Sequence, residues 1–147
     1  MELESYFDFA ENDYNLFMFC VNHEYYAANM LGAIAQGICE KYIKHLLESY
    51  YSPDSALSYS EYSDVMRTHS LHKLCKFLKN RLQLKYSQET ENLMYIIDGF
   101  YFSTRYPGDD SITLEKENID FCCRAINACR EETINFMKLL SAGKEKK

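Results

Sequence analysis

Residues Glu24 to Ser49, EYYAANMLGAIAQGICEKYIKHLLES, form a helix-like stretch that is apolar on most of its circumference. At helical spacing Ala27, Leu31, Ile34, Ile38 and Tyr42 line one side, while Cys39, Ile43, Leu46 and Leu47 lie well round from it. A helix apolar on more than one side belongs at the centre of its domain. The polar exception is a stripe of Asn29, Gln36, Glu40 and Lys44, in which Glu40 precedes Lys44 by one turn, the favourable order for an ion pair. Function is expected to touch that stripe.

On the N-terminal side Phe7, Ala10, Tyr14, Phe17 and Val21 recur at steps of three and four, which predicts a helix from Tyr6 to Val21. Asn22 and His23 interrupt it and offer an N-cap for the central helix, so the two helices should form an antiparallel hairpin. Beyond Ser49 the periodicity stops. Tyr50 to Thr68, YYSPDSALSYSEYSDVMRT, reads as a loop with one short helical piece around Leu57 to Met66, because Pro53 bars the helix from continuing. Its tyrosines lack the interleaved Lys and Arg of a single-strand-binding surface, so it is expected to fold onto the bundle.

Leu71, Leu74, Cys75, Leu78 and Leu82 define a third helix whose outer face carries Lys73, Lys76 and Lys79, with Arg81 and Lys85 nearer its edge. These are five positive charges with no acid among them, in a chain of net charge -6, so the remainder carries -11. A solvated lysine face is the plainer explanation, and a phosphate-contacting surface is the other. Ser87 opens a fourth helix with Leu93, Ile97, Phe100 and Thr104 on its buried face, which places Asp98, Tyr101 and Arg105 along one edge. Pro107 and Gly108 suit the centre of a type II turn at TRYPGDD. A last helix follows Thr113 and runs through Ile119, Cys122, Ile126, Cys129, Thr133, Met137 and Leu140. The expectation is an all-α, up-and-down bundle of about five helices, one domain over residues 1–147 with a core from about 6 to 140 and a frayed tail from 141 to 147.

Composition agrees with that class: 47% of residues are hydrophobic and only five are Gly and two Pro, which suits a compact helical domain. The net charge of -6 argues against indiscriminate binding to nucleic acid, whose affinity comes from Lys and Arg neutralising phosphates. The start, MELESYFDFAEND, is acidic and unlike a signal peptide, so a cytoplasmic location is expected. Six cysteines without a CxxC pair then read as small buried hydrophobes rather than a disulfide framework. No apolar run reaches the length of a membrane span.

Three short segments carry a resemblance. AQGICEKYIKHLL, from Ala35 to Leu47, resembles the A-Q-x-x-x-E-K-x-x-K signature of HEPN domains, the nucleotide-binding domains of higher eukaryotes and prokaryotes. His69-Ser70-Leu71 is similar to their His-x-Leu segment opening the third helix, and Arg105-Tyr106-Pro107 resembles their Arg-Tyr-Pro corner before the last helix. The resemblance spans roughly Ala10 to Met137 and implies a helical bundle, commonly a homodimer. It further implies a nucleotide as ligand or a minimal nucleotidyltransferase subunit as partner, with some members acting as RNA-cutting toxins.

The ribonuclease branch that the resemblance brings in uses an Arg followed by four to six residues and a His near the end of the bundle. Arg105, Arg124 and Arg130 have no His after them, and Arg67 with His72 fits the spacing at an earlier place, the start of the third helix. For such a pair, His72 would exchange a proton with the attacking ribose hydroxyl and Arg67 would stabilise charge on phosphate across a dimer. His69, His72 and Cys75 also form H-x-x-H-x-x-C, but a fourth zinc ligand is missing, and no metal site is assigned. No nucleophile-elbow or phosphate-cradling glycine motif occurs, and no cofactor is implied.

A non-catalytic binding module is therefore favoured over an enzyme. For a nucleotide, Lys44 and Arg105 are the candidate cations, with Gln36, Glu40 and Tyr101 orienting them or contacting base and ribose. The plainer alternative is that Glu40, Lys44, Asp98 and Arg105 form structural ion pairs joining the second helix to the fourth.

Overall fold

The backbone of the computed structural model is described for residues 2–25 and 29–145, and the side chains of 144 and 145 lie outside that description. Seven helical segments follow one another: α1 (Tyr6–Asn22), α2 (Met30–Tyr50), α3 (Ala56–Met66), α4 (Leu71–Leu82), α5 (Gln88–Ile97), α6 (Phe100–Ser103) and α7 (Lys116–Glu145). Among the described residues there is no strand, so the all-α class stands.

Local chemistry sets the helix starts. Ser5 and Asp8 form a reciprocal capping box at α1, Ser55 and Ser58 do the same at α3, and the Ser70 hydroxyl accepts from the Lys73 N–H at α4. The central helix begins later than expected, at Met30 rather than Glu24. His23 does not cap it; its N–H bonds back to the Phe19 carbonyl at 3.1 Å and closes α1, and Glu24 follows with φ of +56°. Ala27, one of the residues assigned to the apolar face, lies outside the described residues.

α2 packs against α1, α4, α5, α6 and α7, and Leu31, Ile38, Tyr42, Ile43 and Leu46 on it are buried. A polar tie runs through this core: the Tyr42 hydroxyl donates to Glu11 Oε1 at 2.6 Å, and Arg130 of α7 grips both Glu11 oxygens at 2.7 and 3.0 Å. Burial opposes ionisation of Glu11, but the bonds from Arg130 and Tyr42 prevail and hold its carboxyl below the usual range. All six cysteines are free, four of them buried, and burial pushes the Cys122 thiol up to about 12.

Further expectations are corrected. The fourth helix is not continuous: it breaks at Asp98 and Gly99, with Gly99 at φ of +99°, and resumes as the single turn α6. Asp98 therefore does not share an edge with Tyr101 and Arg105. At the corner, Gly108 has φ of +155°, more extended than a type II turn requires, and the loop closes through the Ile112 N–H to the Ser103 carbonyl at 2.8 Å. α7 continues past Leu140 to Glu145, into the segment expected to fray, while residues 146 and 147 lie outside the description. Among the described residues no helix is long and apolar enough to cross a membrane.

Candidate functional site

The polar stripe of α2 faces inward, toward residues 69–114. Asn29 donates to the carbonyls of Thr104 and Ile112 at 2.8 and 2.9 Å and accepts from the Leu114 N–H at 2.7 Å, which fastens the corner before α7. Two turns further on, the Gln36 amide donates to the His69 carbonyl while its oxygen accepts from the N–H groups of Gly99 and Tyr101 at 3.0 and 2.7 Å. Gln36 thus satisfies, from another helix, backbone donors that the break before α6 leaves open.

Glu40 is only 3% exposed. Its Oε1 meets His69 Nδ1 at 3.0 Å and Lys44 Nζ at 3.7 Å, while Oε2 is buried without a partner. Burial pushes the Glu40 carboxyl above its usual range, against the His69 bond and the Lys44 charge, and pushes the Lys44 amine below its own. The ion pairs considered between the second and fourth helices do not form: Glu40 and Lys44 meet within α2, and Asp98 and Arg105 have other partners.

On the outer side of this frame stands a stack. The His69 ring lies flat on Tyr101, with centroids 3.8 Å apart and planes 12° from parallel, and the Arg105 guanidinium covers Tyr101 at 4.4 Å. Phe102 meets both His69 and Tyr101 edge-on and is itself 60% exposed. Below it opens a shallow cavity of about 450 Å³ bounded by Thr68, His69, Ser70, Lys73, Asp98 and Phe102. Gly99 and Phe102 also border a second cavity that runs along the Tyr106 to Ser111 corner, so Phe102 stands as a ridge between two hollows.

Asp98 fills the end of α4. Its carboxylate accepts from the N–H groups of Leu71 and His72 at 2.9 and 3.2 Å and from His72 Nδ1 at 2.5 Å. An anion therefore finds the N–H donors of that helix end taken, and Lys73 is the cation that faces the cavity. The bond to Asp98 fixes the His72 ring flat on Tyr95 at 3.7 Å and turns Nε2 away from the carboxylate. Arg67 does not join His72: its guanidinium turns back onto α3, bonding the Ser63 carbonyl and hydroxyl and Asp64. His69, His72 and Cys75 serve Glu40, Asp98 and the core respectively, and among the described residues no three such donors are grouped as for a metal.

Of the residues singled out from sequence, Gln36, Glu40, Tyr101 and Arg105 are gathered into one assembly, with Lys44 reaching it only through Glu40. Phe102 carries no role in the sequence reading, and Asp98 enters it only as an ion-pair partner, not as the acceptor at the start of α4. The signal for them was Asp98-Gly99, a turn-forming pair inside a helical pattern.

No curated protein and no solved structure matches the chain. His69-Ser70-Leu71 and Arg105-Tyr106-Pro107 both fall inside the segment 55–137, over which the family model of the HEPN domain matches. That segment is more than half of the sequence, and the chain belongs to the HEPN domain family.

Proposed function

We propose that the chain is a non-catalytic nucleotide-binding module whose ligand sits on the outer side of the wall that Gln36 and Glu40 brace. The supporting observation is the exposed Phe102 beside Lys73, backed by the His69, Tyr101 and Arg105 stack. A base stacks on the Phe102 face, Lys73 meets the phosphates, and Arg105, held over Tyr101, adds a second positive charge nearby. Asp98 disfavours phosphate close to the end of α4, which orients the ligand with its hydroxyl or amine donors toward that carboxylate. The module acts as a homodimer and as the accessory subunit of a minimal nucleotidyltransferase, as in a toxin-antitoxin pair.

Titration calorimetry with ATP, GTP and UTP on the whole chain tests this. Wild type should bind at least one of them, and Phe102→Ala should weaken binding about tenfold, the scale of one base-aromatic stack. Lys73→Ala and Arg105→Ala should weaken it too, with helicity unchanged by circular dichroism. No heat with any nucleotide, or full binding by folded Phe102→Ala and Lys73→Ala, refutes the site and leaves a partner-binding subunit.

A second reading, metal-independent ribonuclease action through Arg67 and His72, draws support from the His72 ring held by Asp98. The position of Arg67 against α3 speaks against it. Purified protein is expected to leave RNA intact in the presence of chelator. Degradation abolished by both Arg67→Ala and His72→Ala would establish the enzyme instead.

A further inference from the structure

α3 lies against α4, and the groove between them is a second concave surface, distinct from the Phe102 cavity except that Lys73 borders both. Its volume is about 430 Å³. Val65 and Phe77 make an apolar floor, and Lys73, Lys76, Arg81 and Glu61 form the rim. One and two turns before Val65 on the same side of α3 stand Glu61 and Leu57, and Leu57, 70% exposed, offers a further apolar contact beyond the hollow and past the Glu61 carboxylate.

The rim charges are not used internally in equal measure. Arg81 pairs with Glu61 and lies over the Phe77 ring at 5.0 Å, which fixes one edge of the groove. Lys73 and Lys76 make no ion pair among the described residues, although the chain outside Lys73 to Lys85 carries a net -11. Two unpaired cations over a greasy floor call for a partner that supplies both carboxylates and apolar side chains.

We propose that the α3–α4 groove docks an acidic amphipathic helix of a protein partner, its apolar face on Val65, Phe77 and Leu57 and its carboxylates on Lys73 and Lys76. A nucleic acid fits less well. Its sugar-phosphate backbone offers no apolar group to the floor of Val65 and Phe77. The docking surface shares Lys73 with the proposed nucleotide site, whereas Val65, Lys76 and Phe77 belong to the groove alone.

The test is fluorescence anisotropy with a labelled synthetic helical peptide carrying leucine along one face and glutamate elsewhere. Two controls are the same peptide with lysine for glutamate and a labelled single-stranded oligothymidylate. The acidic peptide should bind in a salt-sensitive way, and more tightly than either control. Lys76→Glu, at an exposed position that leaves the fold intact, should weaken it by about fivefold or more, as reversal of a rim charge does. Phe77→Ala should weaken it also. Equal binding of the lysine peptide, tighter binding of the oligonucleotide, no binding at all, or unchanged binding by folded Lys76→Glu each overturns the proposal.

Discussion

His69 lies parallel to Tyr101 at 3.8 Å, and a single side chain from another helix, Gln36, fixes the backbone of both. The stack is therefore set by the frame behind it as well as by ring contact. Replacing Gln36 by Leu keeps the volume but takes away the partner of the His69 carbonyl and of the Gly99 and Tyr101 N–H groups, which face the fully buried Gln36 side chain. The expected loss is about 3 kcal/mol of folding stability, since each orphaned group costs about 1–3 kcal/mol and the three are not additive. Urea unfolding monitored by circular dichroism checks it, and a loss below about 1 kcal/mol would show that the amide is not the brace.

The break before α6 rests on Gly99, whose φ of +99° is unfavourable for any residue with a Cβ. Gly99→Ala meets no neighbouring atom, so its cost is backbone strain alone, about 1–2 kcal/mol. Gly32→Ala fails for a different reason: its Cβ would stand 2.8 Å from Thr104 Cγ2 and 3.0 Å from Leu114 Cδ1. Overpacking of that kind costs about 1–3 kcal/mol and should loosen the corner that Asn29 fastens. Thermal melts of the two variants separate them, because only Gly32→Ala is expected to be rescued by trimming Thr104 to Ser.

Periodicity exposed most of the helices because burial follows the helical repeat, and α1 and α4 begin at the residues their apolar spacing marks. The break at Asp98 and Gly99 was hidden by the same signal. Leu93, Ile97, Phe100 and Thr104 are all buried, so the three-and-four spacing runs unbroken across a chain that turns. The stripe of α2 was legible as a special surface, but which way it pointed was not. Whether Gln36 or Glu40 faces solvent depends on what residues 69–114 place over it, and those partners are distant in sequence. The stack shows the same limit, since no spacing rule connects His69 with Tyr101.

Glu40 gives a pH-dependent prediction. Burial raises its folded carboxyl above the ordinary value of 4.5, so between that value and the raised one the folded chain holds a proton the unfolded chain has released. On that account, folding stability attributable to Glu40 rises as pH falls through this window and is lowest when the buried carboxylate is ionised at neutral pH. Glu40→Gln removes the ionisation. Its stability relative to wild type should be greatest at neutral pH and should decline as pH falls toward 4.5, read as the difference in urea midpoint between the two proteins. A difference that does not change with pH would mean that His69 and Lys44 already compensate the charge in full.

The expected homodimer does not need α2, because the chain covers the apolar sides of that helix itself: Leu31, Ile38, Ile43, Leu46 and Leu47 are all buried within one copy. Among the apolar groups left uncovered are three on the outer face of α1, Phe9, Leu16 and Phe19, which recur at near-helical spacing and are 43%, 51% and 60% exposed. Exposed apolar side chains of this kind, repeated on a second copy, can close on themselves about a two-fold axis. Sedimentation velocity at micromolar concentration should therefore show a dimer. Leu16→Glu with Phe19→Glu should yield a monomer of unchanged helicity, because neither side chain belongs to the core. A monomeric wild type would remove the dimer, and a dimer that survives the double substitution would place its interface on another face.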